Sequence, residues 1–391
     1  MLSERILSVQ RSPFYSIMEL AAERGDCIYL HLGEPDFTPP KHVVEAAKKA
    51  LDEGQTHYGS DRGIPDLRQL IAQKILKQHG IHYHWEEEIL VTAGGQAGLH
   101  IALMALVNPG EEVVLLVPYY PPYLANVQLA GATPVLVDLQ STDGFVPNPS
   151  AIEKAISSKT KALIILTPNN PTGSVYPEEV LRSLLEIACK RNIAIISDEV
   201  YESLVYDGLR HKSFISLPGA KDHVVHVNSF SKTYAMTGLR VGYVAAPNEK
   251  LIQFLKYHHT INISANVPAQ IACVTALKGP QDSVEEMRIA YQNRRNLLME
   301  MLNDIPGIHC NTPRGAFYAF ADIREIGIPS LEFVQYLVKE AGVVLTNGSG
   351  FGSEGFVRVS YAADPKKIEE AMRRMKQAVL KLSPPMKKCH S

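Results

Sequence analysis

Cysteine is scarce and badly placed for cross-linking: Cys27, Cys189, Cys273, Cys310 and Cys389 are scattered over 391 positions without a Cys-x-x-Cys pair. That spacing argues against a disulfide framework and a zinc site, and a reducing cytoplasm is the expected setting. Excess charge is missing too. Lys plus Arg number 39 against 41 Asp plus Glu, so nothing supplies the counterion release that drives nucleic-acid binding, and DNA or RNA is not expected as a partner. No run reaches the roughly 18 apolar residues of a membrane helix. Met1-Leu2-Ser3-Glu4-Arg5-Ile6 lacks the basic start and apolar stretch of a signal peptide. Neither secretion nor a membrane span is expected. His82, His84 and the His258-His259 pair are expected at the surface, with no metal bound.

What is present is the patterning of a large α/β protein. Apolar residues recur at helical spacing over 14–22, and Pro39-Pro40 opens another helical stretch to residue 51. Buried-type apolar runs then alternate with helical ones, at 89–92, 113–117, 133–137, 162–166, 193–197, 224–228 and 241–245. Seven such runs predict a mostly parallel, doubly wound sheet. The chain next reads as helical over 252–302, with a charged stretch at 287–301 able to bridge two domains. Short strand-like runs at 316–321, 343–345 and 357–359 alternate with helical ones at 331–341 and 365–382, the pattern of a smaller α+β domain. The expected division is an amino-terminal arm and part of the small domain in 1–45, a large domain in 46–285, and the rest of the small domain in 286–391. The polar tail at 384–391 is expected to be disordered.

Four polar loops follow four of these strands. Ser229, Ser231 and Lys232 follow the run at 224–228, and parallel sheets present ligands beyond the carboxyl ends of their strands. A lysine taken alone is usually a surface residue. Here two hydroxyls and Arg240 stand near it, the inventory for gripping a phosphate beside a nucleophilic amine. Thr92-Ala93-Gly94-Gly95-Gln96 runs from a strand into a helix and gives an anion access to backbone N–H groups, although Gly-Gly before a helix is commonly only a turn. Asp198, in Ser197-Asp198-Glu199-Val200-Tyr201, is either a helix N-cap or a shielded carboxylate facing a cationic ring nitrogen. Asn170 sits in the turn Asn169-Asn170-Pro171-Thr172-Gly173 with an amide suited to a ring oxygen. Tyr201 has a phenol for the same oxygen, or packs in the core.

Together these motifs, in this order and at these separations, resemble the class I and II aminotransferases of pyridoxal-phosphate fold type I, from about residue 32 to 382. The resemblance implies a seven-stranded mostly parallel sheet in the large domain and pyridoxal 5'-phosphate as cofactor. It makes Lys232 the Schiff-base and proton-transfer lysine, Asp198 the partner of the pyridine nitrogen, and Tyr201 and Asn170 ligands of the ring hydroxyl. Ser229, Ser231, Arg240, Gly95 and Gln96 match phosphate ligands. Tyr120 falls where the family stacks an aromatic ring, with Tyr123 supporting that wall. Arg358 and Gly33 match groups that meet the substrate α-carboxylate, and Tyr58 matches a tyrosine reaching the neighbouring subunit's phosphate, which implies a homodimer with shared sites.

The implied activity is ping-pong transfer of an amino group between an amino acid and a 2-oxo acid. Lys232 is expected to titrate well below about 10.4 because the ring cation and Arg240 disfavour its ammonium form. Two alternatives are a β- or γ-lyase on the same scaffold and a non-catalytic regulatory module, although neither end leaves room for an added DNA-binding domain. Dicarboxylate-specific relatives often carry lysine where Gln96 stands. With Tyr120, Tyr123 and Phe14 near the side-chain pocket, a neutral or aromatic donor such as alanine, methionine or phenylalanine is expected over aspartate.

Overall fold

The computed structural model describes residues 14–382 and, ahead of them, residues 2, 3, 6, 7 and 9. The tail expected to be disordered lies outside the described residues. Among those described, no helix is long and apolar enough to cross a membrane.

Twelve strands are described. A two-residue β1 (Ile28–Tyr29) precedes the seven of the large sheet. These are β2 (Ile89–Thr92), β3 (Glu112–Val117), β4 (Thr133–Asp138), β5 (Thr160–Leu166), β6 (Ala194–Asp198), β7 (Val224–Ser229) and β8 (Gly242–Ala245). Their order across the sheet is β2-β8-β7-β6-β5-β3-β4. Only β8 runs against the rest, pairing antiparallel with both β2 and β7. The central strands read as mainly apolar runs because helices cover both faces, so no residue alternation is needed, although β7 carries the buried His226 and Asn228. Leu99, Ile101 and Leu103 of the helix Gly95–Leu106 pack on one face. Leu67, Ile71, Leu181 and Ala269, from three other helices, cover the other.

Topology sets where the site lies. In β2, β3, β5, β6 and β7 the polar residues follow the carboxyl end, and all five ends meet one edge of the sheet. The reversal of β8 brings its beginning to that same edge. Arg240, two residues before Gly242, therefore joins the loops that follow the other strands.

The carboxyl-terminal part adds β9 (Tyr318–Asp322), β10 (Val343–Val344), β11 (Thr346–Asn347) and β12 (Phe356–Ser360). An antiparallel sheet has the order β11-β12-β9, while β10 pairs in parallel with β1. The helices Asp282–Leu302, Ser330–Ala341 and Pro365–Lys381 pack around it.

One expectation needs correction. The continuous helical stretch over 252–302 is three helices, Asn248–Asn262, Val267–Lys278 and Asp282–Leu302. Ile263 adopts a positive φ of 60°, which ends the first. Asn266 caps the second by accepting from the Ala269 N–H, with Pro268 in its first turn, and Gly279-Pro280 separates the third. Each helix buries its own apolar stripe, the first and third against one core and the second against the other, and that succession of stripes hides the breaks from a pattern read over a long window.

Candidate active site

The loops enclose a cavity of about 400 Å³ at the shared edge of the large sheet. Gly33, Gly95, Gln96, Tyr120, Asn170, Asp198, Tyr201, Ser229, Ser231, Lys232, Arg240 and Arg358 all line it. The twelve residues come from every part of the chain, and the fold brings them to one place.

Lys232 lies in a single helical turn, Phe230–Thr233, directly after β7. Ser229 caps that turn: its Oγ accepts from the Ser231 N–H at 3.1 Å and donates to the Ser231 Oγ at 2.9 Å. The cap fixes the angle at which the lysine leaves the strand. Its Nζ donates to the Gly33 carbonyl oxygen. Burial pushes the Lys232 amine down to about 8, helped by Arg358 and Arg240 and opposed by Glu34 and Asp198. The direction matches expectation but the leading cause does not: desolvation outweighs the neighbouring cations.

Asp198, the last residue of β6, accepts a hydrogen bond from the Tyr123 hydroxyl at 2.7 Å and one from the Val200 N–H at 3.3 Å. Burial nevertheless raises its carboxyl to about 6, outweighing these two hydrogen bonds and the nearby His226, which lower it. Tyr123 was expected only to support the aromatic wall. It does meet the Tyr120 ring edge-on, at 5.4 Å between centroids, but its hydroxyl also orients the aspartate.

Arg358, on β12, is held on several sides. Its Nη1 donates to the Asn170 Oδ1 at 2.9 Å and its Nη2 to the His31 carbonyl at 2.6 Å. The rings of Tyr318 and Phe351 lie 4.5 and 5.0 Å from its guanidinium carbon. Its buried Nε has no partner. Because Arg358 takes the Asn170 oxygen, the amide NH2 of Asn170 is the end left to donate.

Gly94, at φ 85°, precedes the helix Gly95–Leu106. The first N–H groups of a helix have no intrahelical acceptor, and no side chain caps this one. Arg240 packs on Gly94 so closely that an added Cβ would stand 2.5 Å from its Nη2. A cation and open backbone donors thus share one corner of the cavity.

One candidate is not part of this cavity. Tyr58 is 80% exposed and lines a separate groove with His57, Ser264 and Val267. Phe14 opens the helix Phe14–Arg24, and its side chain lies outside the described residues. His82 and His84 are exposed as expected, whereas His258 is fully buried against that expectation. It lies on the packed side of the helix Asn248–Asn262 with Leu251 and Phe254, at the helical interval that one apolar stripe occupies. No cluster of three metal-ligating side chains occurs among the described residues.

The sequence reading missed Leu32, Glu34, Leu99, Leu166, Val200, Thr237 and Tyr318 as lining residues. Glu34 accepts from the Thr237 hydroxyl at 3.0 Å. Tyr318 lies in Gly315-Ala316-Phe317-Tyr318, an aromatic strand entrance that looks like any core segment.

Residues 25–375 match the family described as Aminotransferase class I and II. An aspartate aminotransferase of Pyrococcus abyssi is 41% identical over 97% of this chain and 98% of its own length. An aromatic-amino-acid aminotransferase 2 of Thermococcus litoralis is 40% identical over the same shares. Among solved structures, an aspartate aminotransferase from Thermus thermophilus with maleate superposes with a TM-score of 0.92 at 37% identity, covering 97% of this chain and 99% of that one.

Proposed function

The chain belongs to the class I and II aminotransferases, a pyridoxal-phosphate-dependent family, and from that premise we propose a transaminase that prefers a neutral or aromatic amino donor over aspartate. The curated relatives named above are aminotransferases, which favours transamination over elimination on the same scaffold.

The donor set suits the cofactor. A buried carboxylate with no ion pair among the described residues at Asp198, an amine brought near neutrality at Lys232, and a corner formed by Gly94, Gly95 and Arg240 fit a pyridinium nitrogen, an aldehyde and a phosphate respectively. Ser229 and Ser231 stand beside that corner, Asn170 and Tyr201 are the candidates for the ring oxygen, and Tyr120 for the ring face. When bound, pyridoxal phosphate supplies a carbonyl that takes up the amino group and a ring that stabilises the charge left by the departing α-proton.

The chain's own residues then have separate tasks. Arg358, fixed by Asn170 and His31 and with the Tyr318 and Phe351 rings against its guanidinium, offers the remaining N–H groups of its fork to the substrate α-carboxylate. Gly33 stands beside it. Lys232, neutral for much of the time near pH 8, takes the α-proton on its Nζ and returns it elsewhere on the same face. The enzyme stores the amino group between two substrates, so parallel double-reciprocal lines are expected.

The donor preference rests on one observation. The cations lining the cavity are Lys232, Arg240 and Arg358, each already engaged, and Glu34, Leu32, Gln96 and Tyr120 are among the other lining residues. Among the described residues no further cation stands ready for a distal carboxylate, and a carboxylate there would face Glu34 without a partner. A steady-state donor panel tests this. Phenylalanine, methionine or alanine should exceed aspartate in kcat/KM, and aspartate ahead by about tenfold, roughly 1.4 kcal/mol, would overturn the reading.

A homodimer belongs to the same proposal. Support comes from Tyr58, which stands away from its own chain's cavity on a face that also exposes Leu51, Ile261 and Ile263. The pairing of β1 with β10 likewise supports a small domain made from both 1–45 and 286–391.

A further inference from the structure

We propose that Tyr318 is a positioning residue whose hydroxyl directs the Tyr201 proton toward the cofactor ring oxygen and whose ring supports the Arg358 guanidinium, so that one side chain couples cofactor and substrate-carboxylate binding. The inference rests on the assignment of Tyr201 to the ring oxygen.

Four contacts carry it. Tyr318 is fully buried at the start of β9 and lines the cavity. Its hydroxyl lies 2.9 Å from that of Tyr201, and the two rings meet edge-on at 5.8 Å. The Arg358 guanidinium carbon sits 4.5 Å from its ring centre. Finally, Gly33 approaches so closely that a Cβ there would stand 2.8 Å from the Tyr318 hydroxyl. The charged or titratable groups facing the pair are Arg358 from β12 and Tyr120 from the loop after β3. Burial raises both phenols, so each keeps its proton at neutral pH.

Proton counting then sets the direction of the chain. A phenol has one proton to donate. In the pair alone, either hydroxyl serves as donor. Once Tyr201 gives its proton to a ring oxygen, the bond between the phenols survives only with Tyr318 donating. A donor behind Tyr201 polarises it and strengthens its own donation, and in a buried site such chains exceed the sum of their links. The ring of Tyr318 acts separately, holding the face of Arg358 through a cation–π contact that a carboxylate ligand needs in place.

The two roles separate experimentally in the cofactor-loaded protein. A hydrogen bond to the ring oxygen draws charge from it and makes the neighbouring Lys232 nitrogen a weaker base. Losing that donor should therefore raise the midpoint of the pH titration of the bound cofactor's visible absorbance. Tyr201→Phe should move the midpoint upward. Tyr318→Phe should move it the same way by roughly a third as much, and add nothing in the double variant. A shift in Tyr201→Phe with none in Tyr318→Phe, or full additivity, overturns the coupling alone. No shift in Tyr201→Phe overturns the assignment of Tyr201 and the coupling with it. For the ring, the dissociation constant of 3-phenylpropionate should rise about threefold to tenfold in Tyr318→Leu and less than about twofold in Tyr318→Phe. Equal effects in the two variants overturn the support of Arg358. The phenylalanine arm keeps ring and packing, so it stands even where the leucine variant does not fold.

Discussion

Lys232 shows how a residue's surroundings decide its chemistry. An ammonium in water has no lone pair to offer until about pH 10.4. Burial brings the Lys232 midpoint down to about 8, so the free amine is already plentiful slightly above neutrality. The sign is clear: below pH 8 the protonated, inert form predominates, and above it the nucleophilic free amine does. The rate at which cofactor-free protein captures pyridoxal phosphate should therefore rise with pH and reach half its plateau near 8. Lys232→Arg should show no covalent capture at any pH. A stopped-flow absorbance series on the wild type checks the first point, and a half-plateau nearer 10 would show that burial does not govern this amine. Lys232 was legible because hydroxyls, a strand end and Arg240 accompany it in sequence. Tyr318 was not, since its partners Tyr201, Arg358 and Gly33 are distant in the chain and an aromatic residue entering a strand signals only packing. Tyr123 fell between the two: its place in an aromatic cluster could be read, but its bond to Asp198 depends on three-dimensional register.

At the scale of elements, largely apolar runs identified the large-sheet strands to within a residue or two, because strands covered on both faces are mainly apolar, the buried His226 and Asn228 of β7 being exceptions. The direction of β8 had no such signal. An apolar run reads the same either way, and only the sheet pairing shows that its reversed path delivers Arg240 to the site. β1 and β11, two residues each, are too short to have a period. The turn between β2 and the helix Gly95–Leu106 was legible as Gly-Gly, yet its exacting requirement was not. Gly94 needs both a positive φ and an empty Cβ position against Arg240. Gly94→Ala should therefore displace the guanidinium and weaken cofactor binding about fivefold to a hundredfold, in line with roughly 1–3 kcal/mol for strain of this kind. Gly54→Ala is the matched comparison, with φ 73° and no atom within 4 Å of its Cβ. It should lower the melting temperature while leaving cofactor affinity unchanged. Equilibrium titration of the cofactor-free variants with pyridoxal phosphate distinguishes the two, and equal losses of affinity would mean that general strain, not the Arg240 contact, matters.

For the whole molecule, the question is whether one chain makes a complete site. Tyr58 is 80% exposed and lines a groove separate from its own cavity, so it would take part in the chemistry if another copy of the chain presented that cavity to it. In a twofold dimer the same patch meets itself, so each Tyr58 would serve its partner's phosphate corner. A hybrid dimer tests this directly. One subunit carries Lys232→Ala with Tyr58 intact; the other carries Tyr58→Ala with Lys232 intact. If Tyr58 acts across the interface, the first subunit's site lacks its lysine, while the second has its own lysine and receives a native tyrosine. The purified hybrid should then show about half the wild-type rate at limiting cofactor, one native site out of two. If Tyr58 acts within its own chain, the only site with a lysine lacks its tyrosine, and the hybrid can do no better than half the Tyr58→Ala homodimer. The two arrangements thus predict different rates from identical components, and differently tagged subunits purified in two affinity steps provide the sample that decides between them.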